Sequence, residues 1–199
     1  MVGQSLPVRA PGPALAAEGR TGSRRTAWRL ILNLAAFQTG WLAAVLGAAQ
    51  GLAWLGPTVA AGAIALHLGV ACRRSLEVRL LGAAVVVGVV LEQALLVAGF
   101  TLYPGDPSWV PLWMLALWPL FATSLNVSLA WLKPHRRLAV IAGAVAGPLA
   151  YAAGEALGAI RLEGHALPAI ALGWAVALPL LLALASRWNG CVAATEIGA

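Results

Sequence analysis

Residues 80–100, LLGAAVVVGVVLEQALLVAGF, contain a single ionisable side chain, Glu92. An α-helix that crosses a bilayer needs about 20 predominantly apolar residues, so this stretch predicts a transmembrane helix. Similar apolar runs recur along the chain, separated by charged residues or by turns that contain proline and glycine. The predicted spans are Trp28–Ala48, Leu55–Cys72, Leu80–Phe100, Trp109–Leu132, Leu138–Ile160 and Leu167–Ser186.

The composition of the whole chain indicates the same class of protein. Of the 199 residues, 61% are hydrophobic and 10% are charged, whereas soluble domains have about 45–50% apolar and about 25% charged residues. Six spans use most of this length, so no soluble catalytic domain fits beside them. The sequence therefore predicts an all-α integral membrane bundle of six transmembrane helices.

Both ends of the chain are predicted to lie outside the bundle. Residues 1–27 are rich in proline, glycine and arginine, so we expect a flexible basic cytoplasmic tail. Residues 28–187 form the transmembrane domain, and residues 188–199 form a short cytoplasmic tail. A cleaved signal peptide is the competing interpretation of the first span, because Gly47-Ala48-Ala49-Gln50 resembles a small-residue cleavage site. The long basic leader and the length of the apolar run favour an uncleaved helix.

The positive charges indicate the orientation. If the N-terminus is cytoplasmic, all of the 13 lysine and arginine residues except Arg161 fall on the cytoplasmic side. The positive-inside rule then predicts that both termini are cytoplasmic. Because lysine occurs only at Lys133 in a chain rich in alanine, glycine and arginine, we expect a bacterial source and the inner membrane. Topology and anionic headgroups explain the net charge of +6, so no nucleic-acid partner is expected.

Apart from Arg29 at the start of the first span, the predicted spans contain three side chains of the His, Asp, Glu, Lys and Arg types, namely His67, Glu92 and Glu155. A charge at a helix centre costs about 2.5–3.5 kcal/mol on translocon scales, so each one is a candidate site. A rise of about 1.5 Å per residue places Glu92 and Glu155 in the outer half of the membrane, with Tyr151 near the depth of Glu92. Tyr151 shares a helix face with Glu155. The outer polar cluster is therefore defined as Glu92, Gln93, Tyr151 and Glu155.

Two interpretations of the outer polar cluster stay open. Glu92 is a candidate acid, base or proton carrier that faces the bundle interior. Alternatively, Glu92 is a hydrogen-bonded packing residue and Glu155 reaches interfacial water. Gln93 follows about 100° round the helix, so it is predicted to contact a neighbouring helix while Glu92 points inward.

A second polar group, Asn33, His67 and Asn126, lies toward the predicted cytoplasmic ends of three spans. Polar side chains at one depth can join helices by hydrogen bonds, so we expect this inner polar belt to be structural. A pocket for a lipid headgroup is the functional alternative. His67 has no partner at ligand spacing, and the two cysteines are far apart, so neither a metal nor a cofactor is expected.

Several motifs are similar to those of one known family. They are Phe37-Gln38-Thr39-Gly40-Trp41, Trp54-Leu55-Gly56-Pro57, Leu117-Trp118-Pro119-Leu120-Phe121 and Gly147-Pro148-Leu149-Ala150-Tyr151. The family consists of small bacterial polytopic membrane proteins catalogued as a domain of unknown function, and the resemblance covers residues 28–187. The resemblance implies an acidic residue at the position of Glu92, where relatives more often have aspartate. It implies no activity, cofactor or catalytic residue.

The motifs of common enzyme classes are absent from the sequence, including phosphate-binding and dinucleotide-binding glycine loops, HExxH and GxSxG. We therefore expect a transporter-like or accessory bundle that handles lipid or a small hydrophobic solute. One alternative is an intramembrane lipid-modifying enzyme that uses Glu92, so whether the protein is an enzyme stays open. The other alternative is a structural subunit of a membrane complex. The expected partners are membrane lipids, and a membrane-protein partner or a second copy of the chain.

Overall fold

The computed structural model describes the backbone of residues 13–188 and the side chains of residues 26–188. Most of this part is helical. The α-helices are α1 (Pro13–Ala49), α2 (Leu55–Val70), α3 (Arg74–Val97), α4 (Leu112–Leu125), α5 (Arg136–Ala156) and α6 (Ala166–Arg187). A single 3-10 turn, Ala130–Leu132, precedes α5, and two short strands, β1 (Thr101–Leu102) and β2 (Arg161–Leu162), pair antiparallel.

Four helices of the described part are long and apolar enough to cross a membrane: α3, α5, α6 and the portion of α1 from Thr26 to Ala49. The other two helices are apolar but shorter, with 16 residues in α2 and 14 residues in α4. At about 1.5 Å per residue, α4 is about 21 Å long, whereas the hydrocarbon core is about 30 Å thick. The all-α class is therefore observed in this part of the chain, with four helices of spanning length.

The fourth predicted span, Trp109–Leu132, is not a continuous helix. Pro111 has an extended backbone with ψ 147°, so α4 begins only at Leu112. At the other end, α4 stops at Leu125, and the chain continues through turns whose amides are satisfied locally. Leu129 N–H, for example, donates to Ser124 O over 2.9 Å. The helix is short because both of its ends adopt other hydrogen-bonded backbone conformations.

The predicted N-terminal tail overlaps α1 in the structure. The helix begins at Pro13, so it includes residues 13–27 that the sequence assigned to the tail. Residues 1–12 of the tail, and residues 189–199 of the predicted C-terminal tail, lie outside the described residues.

Three helix connections lie together at one end of the bundle, which we name the strand end. Pairing of Thr101 with Leu162 joins the α3–α4 connection to the α5–α6 connection. The turn after α1 is at the same end, because a β-carbon at Gly158 would lie 3.9 Å from Ala49 Cβ. The connections α2–α3 and α4–α5 lie at the opposite end, where Asn126 donates a hydrogen bond to Glu77 over 2.8 Å. We name this opposite end the basic end.

Close packing of α5 on α6 depends on two glycines one turn apart, Gly143 and Gly147. A β-carbon at Gly147 would lie 2.5 Å from Cγ of Trp174, and one at Gly143 would overlap the backbone of Trp174. Small residues at this spacing let membrane helices approach closely. The Trp174 indole consequently lies across α5 and stacks on Trp118 of α4, with 5.0 Å between ring centroids and 21° between ring planes. This stack fixes the position of α4 relative to α6.

Candidate functional site

Glu92 lies in the C-terminal half of α3 and is buried, with 1% of its surface exposed. Its Oε1 atom accepts a hydrogen bond from Trp118 Nε1 over 3.0 Å and another from the Tyr151 hydroxyl. Its Oε2 atom lies 3.4 Å from the Tyr103 hydroxyl, which donates to it. The Trp118 indole reaches this position because Gly88, one turn earlier on α3, leaves room for the ring. One carboxyl group therefore joins α3 to α4, α5 and the connection after β1.

All three polar groups around the Glu92 carboxyl group are hydrogen-bond donors. A tryptophan N–H can only donate, and the two tyrosine hydroxyls are placed to donate. A carboxyl group surrounded by three donors acts as their common acceptor, so its removal would leave buried polar groups without partners.

The other two members of the outer polar cluster lie elsewhere. Gln93 donates from Nε2 to Ser108 O over 3.1 Å and accepts from Val110 N over 3.2 Å. Its amide therefore holds the connection before α4 instead of contacting a helix. Glu155 is exposed at the strand end, where its Oε1 accepts a hydrogen bond from Leu162 N over 2.8 Å. The structure brings together Glu92 and Tyr151 only.

Sequence reasoning missed Tyr103 and Trp118 as partners of Glu92. Tyr103 lies between the third and fourth predicted spans, although its side chain is buried, with 4% of its surface exposed. Trp118 appeared only within a family motif. Both contacts cross between elements, so no residue spacing along the chain could indicate them.

A cavity of about 490 Å³ adjoins Glu92 and Tyr151. Its walls come mainly from α1, α4 and α5, and we name it the apolar cavity. Apart from the carboxyl group, tyrosine hydroxyl, indole nitrogens and the amide of Gln38, its lining is aliphatic and aromatic. Its size falls within the range of small-molecule sites in proteins, about 300–1,000 Å³.

The apolar cavity exists because two helix pairs diverge. Helix α1 packs on α2 and α4, whereas α5 packs chiefly on α6. In this cavity, α5 contributes small side chains such as Ala142, Ala146 and Ala150, and α1 contributes Phe37 and Trp41. Leu149 and Trp131 also line the cavity and have 64% and 59% of their surfaces exposed, so the cavity opens at the side of the bundle.

The inner polar belt divides into two parts in the structure. His67 and Asn126 meet at Glu77: His67 Nε2 lies 3.1 Å from Glu77 Oε2, and Asn126 Nδ2 donates to Glu77 Oε1. Lys133 Nζ donates to Asn126 Oδ1 over 2.5 Å. We name these four residues the Glu77 network. Burial lowers the pKa of Lys133, and the negative charge of Glu77 opposes that effect.

Asn33 does not belong to the Glu77 network. Its Nδ2 donates to Thr123 O over 3.2 Å, and its Oδ1 accepts from Ser128 Oγ over 2.8 Å, so it ties α1 to the end of α4. Glu77 was missed at the level of sequence because it was assigned to the connection between the second and third spans. Helix α3 begins at Arg74, which places Glu77 in its first turn and buries the carboxyl group.

Metal binding was not expected from the sequence. Within the residues that the structure describes, no three His, Cys, Asp or Glu side chains come together as a metal-binding group.

A family model described as "Protein of unknown function (DUF2878)" matches residues 30–180. The matched region includes Glu92, the apolar cavity and the Glu77 network, and the match confirms the family resemblance found in the motifs. Neither the curated proteins nor the solved structures give a match.

Proposed function

The chain belongs to the DUF2878 family, and we propose that it is a transporter-like or accessory membrane bundle that binds a lipid chain or a small hydrophobic solute. The apolar cavity beside Glu92 is the observation that supports this proposal. A cavity of this size with aromatic walls gains dispersion contacts and loses empty space when an apolar molecule enters it. Its side opening, at Leu149 and Trp131, offers a route from the hydrocarbon region of a bilayer.

Filling the apolar cavity with a protein side chain tests this proposal. Ala146 lines the cavity on α5, and an indole at this position occupies space that a bound chain needs. We expect Ala146→Trp to reduce the lipid retained by the purified protein severalfold, as measured by native mass spectrometry in a mild detergent. Ala65→Trp is the matched control, because Ala65 is exposed on α2 and lies outside the cavity lining.

Equal lipid retention by the wild type and both variants would contradict a binding role for the apolar cavity. If the wild type retained no lipid, the alternative of a structural subunit in a membrane complex would be favoured. Co-purification with a membrane-protein partner would then be the observation to seek.

For the orientation, we propose six spans in a bacterial inner membrane with both termini cytoplasmic. This proposal is supported by the alternation of helix connections between the strand end and the basic end. Arg161 lies at the strand end, whereas Lys133, Arg136 and Arg187 lie at the basic end, in agreement with the positive-inside rule. The irregular chain after α4 is compatible with a membrane setting because Leu132 is buried and its N–H donates to Leu129 O.

Reporter fusions test this orientation. Alkaline phosphatase is active only outside the cytoplasm, so a fusion after Asp106 is expected to be active and a fusion after Arg137 inactive. Cytoplasmic β-galactosidase fusions at the same two sites serve as the complementary control. The reverse pattern of activities would overturn the proposed orientation.

An intramembrane lipid-modifying enzyme is the second candidate function. It is favoured by one observation: Glu92 and Tyr151 are hydrogen-bonded to each other and both line the apolar cavity. A bound molecule would therefore contact a carboxyl group that is able to act as an acid or a base. The substitution that separates this candidate from simple binding is Glu92→Gln.

A further inference from the structure

A second cavity, of about 210 Å³, lies at the basic end of the bundle. We name it the cationic pocket. Its lining residues are Lys133, Arg136, Ala139, Pro179, Leu182, Ala183, Ser186 and Arg187. Among the residues that the structure describes, no carboxylate is part of this lining.

The positive charges of the cationic pocket are incompletely balanced. Among the described residues, the side chains of Arg136 and Arg187 make no hydrogen bond or ion pair. Lys133 donates to Asn126 Oδ1 and to Ala185 O, so one of its three N–H donors is left. The Glu77 carboxylate partly offsets the charge of Lys133. The remaining charge of about two units from the arginines matches a phosphate monoester, which carries about −1.5 to −2.

The backbone around the cationic pocket also favours an anion. Helix α5 begins at Arg136, its N-cap residue His135 makes no side-chain capping bond, and no acidic residue lies in its first turn. The N–H groups of a first helical turn lack partners within the helix and carry partial positive charge. Ser186 also lines the pocket, but its hydroxyl group donates to Leu182 O over 2.8 Å and adds no free donor.

The cationic pocket lies next to the apolar cavity along the α5–α6 seam. Ala139 lines the pocket and Ala142, almost one turn further along α5, lines the apolar cavity. On α6 the corresponding pair is Leu182 and Leu178. Charged and apolar sites therefore follow each other along the same two helices, as the head and the chain of an amphiphile do.

We propose that the protein binds a lipid whose headgroup is a phosphate monoester, with the phosphate in the cationic pocket and an apolar chain in the apolar cavity. The two arginines supply planar forks of N–H donors that suit phosphate oxygens, and Lys133 supplies a point charge. The part of this proposal that concerns the lipid chain rests on the proposed function. The part that concerns the phosphate group rests on the residues that line the cationic pocket.

Competition between two lipids with identical chains tests the proposal. Purified full-length protein is titrated with dioleoyl phosphatidic acid and with dioleoyl phosphatidylcholine, and bound lipid is counted by native mass spectrometry. We expect about a tenfold preference for phosphatidic acid, because charge-assisted hydrogen bonds form only with the exposed monoester. The double variant Arg136→Gln/Arg187→Gln is expected to bind both lipids equally. Lys133 is left unchanged because it belongs to the Glu77 network.

The double variant Arg79→Gln/Arg137→Gln is the matched control. It removes the same charge, and neither residue lines the cationic pocket. Retention of the preference in this control, with its loss in Arg136→Gln/Arg187→Gln, supports a specific phosphate site. Equal loss in both double variants would show that only surface charge attracts the lipid and would overturn the proposal. Thermal unfolding of each variant verifies that it is folded.

Two further arms separate failure of the phosphate site from failure of the proposed function. One outcome is that Ala146→Trp binds less phosphatidylcholine than the wild type, while the wild type shows no preference for phosphatidic acid. In that case the apolar cavity binds lipid chains, and the proposed phosphate site is refuted. Inorganic phosphate tests whether the head alone is recognised. The lipid proposal would be overturned if millimolar phosphate displaced phosphatidic acid and Ala146→Trp still bound phosphatidic acid as the wild type does. That result would indicate a site for the free anion.

Discussion

Replacement of Glu92 by leucine is expected to destabilise the protein severely, whereas replacement by glutamine is expected to leave it folded. Leucine removes both carboxyl oxygens and leaves Trp118 Nε1 and the Tyr151 hydroxyl without an acceptor. Each buried donor that loses its partner costs about 1–3 kcal/mol. The midpoint of thermal unfolding in detergent, followed by tryptophan fluorescence, measures the difference.

Glutamine preserves these contacts because of how the three donors divide between the two oxygens. Trp118 and Tyr151 both donate to Oε1, so the amide oxygen of the new side chain in Glu92→Gln can take that position. The amide nitrogen then faces the Tyr103 hydroxyl, which is able to accept as well as donate. A melting midpoint of Glu92→Leu equal to that of the wild type would contradict the acceptor role of Glu92.

The same pair of variants separates packing from chemistry at Glu92. Because Glu92→Gln is expected to fold, its behaviour in a deletion strain reports on the ability of the carboxyl group to carry a proton. Full complementation by Glu92→Gln would eliminate the enzyme and proton-carrier hypotheses. Loss of complementation with normal expression and melting would support them.

Glu77→Ala is expected to have the second-largest effect on stability, because it removes the centre of the Glu77 network. Asn126 loses the acceptor of its Nδ2 group, and His67 loses its partner. Hydrogen bonds to charged groups contribute about 1.5–3 kcal/mol each. The substitution also leaves Lys133 without the nearby negative charge that offsets its burial. We expect a lower unfolding midpoint and loosening of the basic end.

Glu163→Ala provides the control for Glu77→Ala. Glu163 pairs with Arg161 over 2.7 Å at the strand end, but the two side chains are 47% and 75% exposed. Exposed ion pairs contribute about 0–1 kcal/mol, so this variant is expected to unfold near the wild-type midpoint. Equal effects of the two substitutions would show that burial of the Glu77 network adds nothing to stability.

The class of the protein could be predicted from the sequence because the properties that decide it are local to each stretch of the chain. The length of an apolar run such as residues 80–100 and the share of charged residues depend on no contact between helices. The inward position of Glu92 was predictable for a related reason. A carboxyl group that faces lipid has no partner, and this cost is the same whichever helices surround it.

Contacts between distant residues were decided only by the tertiary structure. From the sequence, Glu77 belongs to the connection between two spans. In the structure, α3 begins at Arg74, and Glu77 contacts Asn126, which lies 49 positions along the chain. Gln93 and Glu155 bond instead to backbone groups of the helix connections, Val110 N and Leu162 N. The length of α4 likewise depended on turns whose hydrogen bonds form outside the helical pattern.

The sequence by itself therefore determined the family, the apolar helices and the burial of one carboxyl group, since composition, run length and desolvation act residue by residue. The two cavities were decided by tertiary structure alone. A cavity is the space that neighbouring side chains leave unfilled, and Ala146 of α5 and Trp41 of α1 line the same one. That space depends on how helices pair and diverge, and no pattern along a single helix encodes it.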